Sequence, residues 1–485
     1  MANFDKSERT NFQAALFGLS LNRAAGPPLH QQLAEALRQM ILSGRAHPGA
    51  RLPASRQLAR DLSVSRQTAL TALDQLLAEG YLETRPGAGT YVARDLPHLA
   101  PPPAPAIDTT PPPPEPLRMF QPGAPDMAQF PHAAWARHLD RAWRRPEPAL
   151  LARADPFGWA PLRAAIAAHL AAWRGLDRSG TQVVITSGAT ETFELLARIL
   201  FRPGDQVLTE SPGYAPMRAA LTRAGTAPVA MALDDDGAVL PPGARARGVI
   251  VTPSRHYPMG MTLPLARRLA LIDWARRTDA WVIEDDYDSE FRYTGTPLPP
   301  LAALDADRVI YVGSFSKLLS PALRLGYVLL PQRLLAPMRA ALAETGPRAS
   351  LIPQPALAGF MDSGEFATHL RRMRRLYAAR QTAVRAALAR HLPEHLIAAP
   401  DPAGMHLICR IGPALSGVPD LQISAIAQAA GITLRALSAY WPDGDGPQGL
   451  VLGYAGFAPD ALETGVARLA AALRQYQPGK SPVST

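Results

Sequence analysis

The chain has 485 residues, 47% hydrophobic and 19% charged, which at roughly 100–200 residues per domain means about two to four domains and excludes a small staple-dependent scaffold or wholesale disorder. The formal net charge of +9 permits an acidic partner without identifying one, and the lone cysteine, Cys409, excludes an intramolecular disulfide or a cysteine-based zinc site. No run nears ~18 consecutive apolar residues, and Asp5, Lys6, Glu8 and Arg9 interrupt any signal-like start, so a cytoplasmic protein is expected.

The first elements read clearly. Leu29, Leu33, Leu37, Met40 and Ile41 have helical spacing, and Gly44, Pro48 and Gly49 stop the run. A short helix with Ser55 as its N-cap follows, then a tight turn, then a second helix capped by Ser65 and running from Arg66 to Gly80. Strands are expected at 81–84 and 90–93 around Arg85-Pro86-Gly87-Ala88-Gly89, forming a wing. The run from Pro48 to Val92 resembles the GntR-type winged helix-turn-helix, and the resemblance covers about residues 26 to 93. It implies an interface with double-stranded operator DNA. Ser55 and Ser65, with the amides at their helix starts, would meet phosphate, and Arg51 and Arg56 would add charge there. Arg66, Gln67 and Thr68 would open the recognition helix towards base edges, and Gly87 and Gly89 would let the wing backbone approach the duplex. One module makes few contacts, so a dimer reading two half-sites is expected.

Ten of the 20 residues from Pro97 to Pro116 are proline, a composition that forbids helix interiors and favours an extended spacer of up to ~60 Å. The expected division is therefore 1–93 for an N-terminal extension and winged helix, 94–117 for the linker, and 118–485 for a large domain with a loose tail from about Pro478.

Beyond the linker, strand-like runs at 182–185, 206–208, 248–251, 281–283, 309–312 and 327–330 alternate with helical patterns, the mark of an α/β domain with a largely parallel sheet. Ligands in such sheets lie at the carboxyl ends of the strands. There the chain places Thr186-Ser187-Gly188-Ala189-Thr190 before a helix, an anion seat or an ordinary helix start. It places Glu284-Asp285-Asp286-Tyr287-Asp288 at another strand end, suited either to a metal or to a ring nitrogen. A third strand end carries Gly313-Ser314-Phe315-Ser316-Lys317, with Arg324 seven residues on. Only Lys6, Lys317 and Lys480 among 50 basic residues are lysines. Lys317 is thus the one amine away from the tails, and arginine cannot form a Schiff base. A lysine aldimine needs an anion seat and an acid opposite the ring nitrogen, and all three are here. No metal is expected.

At these residues the chain resembles the fold-type I aminotransferases that use pyridoxal phosphate (PLP). With the winged helix in front it is similar throughout to the MocR/GabR subfamily of bacterial regulators, from about residue 118 to 475 in the large domain. The shared stretches include Asp155-Pro156-Phe157-Gly158, Ser211-Pro212-Gly213-Tyr214, Thr252-Pro253-Ser254, 283–293 and 314–317. The resemblance implies that Lys317 carries PLP as the internal aldimine and that Asp285, or Asp286 failing that, pairs with the pyridinium nitrogen. It implies that Tyr287 bonds the ring phenolate oxygen, that Tyr214 stacks on the ring, and that Ser187, Gly188, Ala189, Ser314, Ser316 and Arg324 hold the phosphate.

The chain departs from the pattern in places. Val451 stands where aminotransferases and the γ-aminobutyrate-sensing regulator carry the arginine that clamps a substrate carboxylate; Arg435, Arg218 and Arg255 are possible substitutes, each read as a surface or structural residue. Arg255-His256 replaces the regulators' usual His-Gln, and Tyr257 replaces the enzymes' asparagine. The run His369–Arg375 reads as a solvated or ion-paired cationic helix face. The expected function is a PLP-binding regulator that senses PLP or a small amine through a head-to-tail homodimer. The alternative is an active aminotransferase with a DNA-binding module, which Val451 argues against.

Overall fold

A computed structural model describes residues 21–22, 27–96, 117–152, 155–296, 298–441, 444 and 446–475; the proline-rich run at 97–116 and the C-terminal tail lie outside the described residues. The chain divides into two compact units, Met1–Pro113 and Pro114–Thr485.

In the first unit, α1 (Leu29–Leu42) buries Leu33, Leu37, Met40 and Ile41, spaced so that they share one face. They pack on Leu58 of α2 (Ser55–Asp61) and on Ala69, Ala72, Leu73 and Leu76 of α3 (Arg66–Ala78). Arg38 of α1 forks onto Glu79 just past α3, with Nε–Oε2 3.0 Å and Nη2–Oε1 2.8 Å. Glycine at 44 and at 80 adopts the left-handed conformation that ends each helix. The hairpin strands are β1 (Leu82–Arg85) and β2 (Gly89–Val92). They sit one residue later and earlier than expected because the ladder closes on Arg85 opposite Gly89, leaving a three-residue tip at 86–88. Leu52 N donates to Thr90 O at 2.9 Å, tying the hairpin to the segment before α2.

One local expectation fails. Ser65 caps α3, accepting from Thr68 N at 3.0 Å, but Ser55 does not cap α2. The extended residue there is Ala54, whose carbonyl takes the amides of Gln57 and Leu58, so Ser55 is already in the first turn and makes no capping bond.

The second unit is built on β3 (Val183–Thr186), β4 (Gln206–Glu210), β5 (Ala227–Met231), β6 (Gly248–Val251), β7 (Trp281–Asp286), β8 (Val309–Ser314) and β9 (Gly326–Leu329). They form one sheet in the order β3-β9-β8-β7-β6-β4-β5, parallel except for β9. Successive residues alternate between two apolar layers. Val249, Val251, Val282 and Tyr311 enter one layer, and Ile250, Ile283, Ile310 and Val312 the other, so the central strands are buried on both faces and read as unbroken apolar runs, whereas the edge strand β5 is largely open to solvent. A smaller antiparallel sheet follows, with β10 (Leu396–Ala398), β11 (His406–Ile411), β12 (Arg435–Ala436) and β13 (Leu450–Gly453) in the order β10-β11-β13-β12. Cys409 lies buried in β11, as a small apolar residue would. The helix Glu365–His391 carries the basic run: His369 and Met373 face inward while Arg371, Arg372 and Arg375 are exposed.

Candidate functional site

The strands of the large sheet deliver their chemistry to one place. A cavity of about 420 Å³ opens at their carboxyl ends, walled by Gly188 to Thr190 beyond β3, by Asp285, Tyr287 and Asp288 at the end of β7, and by Ser314, Ser316 and Lys317 beyond β8. Tyr214, Tyr257, Arg324, Gly123, His406 and Arg435 complete the wall.

Adjacent residues of a strand point to opposite faces, and that separates the two aspartates. Asp286 turns away from the cavity, where it pairs with Arg174 at 3.1 Å and accepts from Ser289 Oγ at 2.8 Å and Tyr311 OH at 2.5 Å. Asp285 lines the cavity, and among the described residues no hydrogen bond or ion pair reaches it. Burial, with the charge of Asp286 beside it, pushes its carboxyl up to about 7. An unpaired buried carboxylate is costly unless a cation meets it.

At another part of the wall, the helix Ala189–Leu200 (α4) presents its N-terminus behind Gly188, whose φ of +122° a side chain would resist. Ser314, Ser316 and Arg324 lie on the same cavity, and Arg324 has no carboxylate partner among the described residues. Free amides, hydroxyls and a guanidinium together form an anion seat. Lys317 Nζ donates to Gly123 O at 2.5 Å, and burial holds its amine below the ordinary lysine range. Gly123, at φ +74°, suits this place: a side chain would strain the backbone, and a Cβ 2.8 Å from Nζ would push the amine aside. An anion seat, an amine eased towards neutrality and an unpaired acid are what a phosphorylated pyridine aldehyde needs, so the residues fit PLP.

Most of the residues expected at this site are brought together, with one exception. Ser187 is not on the cavity wall; its backbone N donates to Glu191 Oε2 at 2.5 Å within the protein. The chain turns at Gly188, one residue later, so the amides that rim the cavity begin there. Tyr287 is half-buried, and its hydroxyl accepts from Arg255 Nη1 at 3.1 Å. Arg255 proves structural: it is buried, with Asp401 at 2.6 Å and Asp288 at 3.5 Å. Arg218 is off the cavity, whereas Arg435 is on it. Sequence reasoning missed Gly123 and His406, which carry no local motif. Tyr257 stands at the centre of an aromatic group, edge-on to Tyr214, Tyr287, His406 and Tyr440 with ring centroids 5.6–6.1 Å apart.

In the first unit, Arg56, Arg66 and Gln67 are exposed at the starts of α2 and α3, and no carboxylate among the described residues pairs with either arginine. Arg51 lies 6.0 Å from the Tyr91 ring centroid, and its Nε would be 3.3 Å from a Cβ at Gly89. Gly87, at φ +73°, forms the wing tip. Cationic side chains and a glycine-rich tip thus accompany the exposed start of α3.

The comparisons agree with this geometry. Residues 29–92 match the gntR family of bacterial regulatory proteins, and residues 142–441 match aminotransferase class I and II. The chain is 39% identical over 479 residues to the probable rhizopine catabolism regulatory protein MocR of Rhizobium meliloti, covering 94% of this chain and 96% of that one. The chain belongs to the MocR-type transcriptional regulators. A second member, the pyridoxine biosynthesis transcriptional regulator PdxR of Corynebacterium glutamicum, is 37% identical over 94% of this chain and 98% of its own. Among solved structures, Pyrococcus horikoshii kynurenine aminotransferase superposes with a TM-score of 0.66 at 25% identity, over 74% of this chain and 91% of that chain. Thermus thermophilus LysN, an α-aminoadipate aminotransferase complexed with a phosphopyridoxyl-leucine, matches at 0.66 and 26% over 74% and 92%. As a MocR-type regulator the protein binds DNA through its winged helix and PLP through its aminotransferase-fold unit. No helix of the described residues is long and apolar enough to cross a membrane.

Proposed function

We propose that this regulator reads a small-molecule signal in the Lys317 cavity and converts it into a change in operator binding. The observation that carries this is the cavity's unsatisfied charge: Asp285 and Arg324 each lack an opposite charge among the described residues, in the unit that follows a DNA-binding module.

When bound, PLP supplies an aldehyde that a primary amine can share with Lys317 and a ring whose protonated nitrogen withdraws electrons. Asp285 would keep that ring proton in place. Arg324, Ser314, Ser316 and the amides of Gly188 and Ala189 would hold the phosphate, with Ser187 supporting their turn from behind. Tyr287, positioned by Arg255, would serve the ring oxygen, and Tyr214 would stack on the ring. On the DNA side, Arg51, Arg56, Ser55, Ser65, Gly87 and Gly89 set the module on the backbone while Arg66, Gln67 and Thr68 read bases.

The working form is a head-to-tail homodimer acting in the cytoplasm on two half-sites, with residues 94–117 as the spacer between an N-terminal module at 1–93 and a body at 118–485. The effector is PLP or a small amine. PdxR's name, a regulator of pyridoxine biosynthesis, favours the first, and Arg435, a second arginine on the cavity wall, favours the second. Ligand control requires that the effector bind the two DNA-binding states unequally. Capture of genomic fragments by PLP-loaded protein, at stated salt, tests the reading. Selection of a discrete fragment supports a regulator; a folded, yellow protein that selects none and turns over amino donors supports the aminotransferase alternative.

A further inference from the structure

Val451 removes the expected guanidinium from β13, but the sheet register supplies another. Arg435 of β12 is the direct antiparallel partner of Val451, and directly paired residues project to the same face. On the other side of β13, Gly453 pairs with His406, which also lies on the cavity wall. This face of the small sheet is therefore the one turned to the cavity. Arg435 lines that wall and is solvent-accessible there.

Arg435 has no carboxylate partner among the described residues. Its charge acts on the hydroxyls of Tyr440 and Tyr257, which lie 3.2 Å from each other. Burial holds the Tyr257 phenol neutral, far above the ordinary tyrosine range, so it does not cancel the charge. The cavity thus has two cationic points on separate elements, Arg324 and Arg435. PLP carries one phosphate, and Arg324 stands with the serines and helix amides that would hold it. Burial lowers the Lys317 amine most, the Asp288 charge works against that, and the Arg435 charge adds to the lowering. A second anion near Lys317 is what remains to be bound.

We propose that the effector is a primary amine bearing a carboxylate or sulfonate, and that Arg435, with Tyr257 and Tyr440, receives that acid group in place of an arginine at position 451. The proposal rests on the PLP-binding reading of the same cavity. Its test uses full-length PLP-loaded protein, titrated with unbranched ω-amino carboxylates, ω-amino sulfonates and n-alkylamines of matched length, and follows the change in visible absorption. A charge-assisted hydrogen-bonded pair implies that acids of the right length bind roughly tenfold to a hundredfold more tightly than the matching alkylamine; the carboxylate and sulfonate arms show which acid the site prefers. Arg435→Gln should remove that preference, moving acid affinity far more than alkylamine affinity, and Arg435→Lys should restore part of it. Adding Val451→Arg to Arg435→Gln should return a preference, because the new guanidinium projects from the paired position. An unchanged preference in Arg435→Gln, or wild-type protein that binds neither class or favours alkylamines, overturns the assignment. A wild-type protein that acquires no visible PLP absorption, or acquires the same absorption in Lys317→Ala, overturns instead the cofactor reading beneath it.

Discussion

The winged-helix unit and the aminotransferase-fold unit place charge in opposite surroundings. In the first, Arg56 and Arg66 stand exposed at helix starts, screened by salt and free to follow a phosphate backbone. In the second, Asp285 is buried and Lys317 half-buried, and the protein holds each in a protonation balance it would not have in water. An exposed array recognises a polyanion by number of contacts and loses affinity steeply with salt. A buried set recognises one small molecule by completing charges that the fold leaves unmatched. The contrast assigns the duplex to one unit and the small ligand to the other.

The largest expected effect breaks the buried half. Lys317→Ala should abolish retention of PLP through dialysis, read as complete loss of visible absorption, while the circular dichroism of the fold is kept. Arg66→Ala comes next, in the exposed half: operator binding by fluorescence anisotropy should weaken by about 1–3 kcal/mol at one base position, whereas Arg56→Ala should weaken all sequences alike and lower the salt slope by about one. If both variants changed sequence preference equally, the division between positioning and reading would be wrong.

A third prediction sharpens the buried half through pH. The Asp285 carboxyl is raised from an ordinary 3.8 to about 7 in the fold, so folding favours its protonated form. The stability it permits is fully present below about 4 and is lost as pH rises through about 7. The thermal midpoint of cofactor-free protein should therefore fall more between pH 5 and 8 in wild type than in Asp285→Asn. Glu284 and Asp288, also raised to about 7 by burial, leave part of the slope in place. Parallel curves would mean that Asp285 is not the unmatched charge. The smallest effect compares two serines: Ser65→Ala should cost about 1 kcal/mol of stability, and Ser55→Ala only a few tenths.

What the sequence disclosed follows the range of the physics. The recognition helix was legible because its cap, apolar spacing and glycine stop are local, and Lys317 because an arginine-rich chain has no other interior amine. The two-residue choice between Asp285 and Asp286 needed the strand's orientation, which a short all-buried run does not reveal. Ser55 was misassigned as a cap by one residue, since the Leu-Pro-Ala-Ser and Ser-Arg patterns do not say where an extended backbone ends. Arg435 is exposed, as expected of a surface arginine; what the sequence did not disclose is its place beside Val451, a cross-strand pairing between segments 16 residues apart, 451 against 435. Gly123 was invisible for the same reason: its contact with Lys317 spans 194 positions.

The account joins the two units through ligand state, and one measurement addresses that join directly. A captured operator fragment should be footprinted with cofactor-free protein, with PLP-loaded protein, and with PLP-loaded protein plus a saturating ω-amino acid. The account predicts that at least one of these states differs from the others in affinity or in the pattern of protected bases, and that Lys317→Ala abolishes the response to the amino acid. Identical footprints and affinities in all three states would contradict it, leaving a DNA-binding protein whose PLP cavity does not govern its binding.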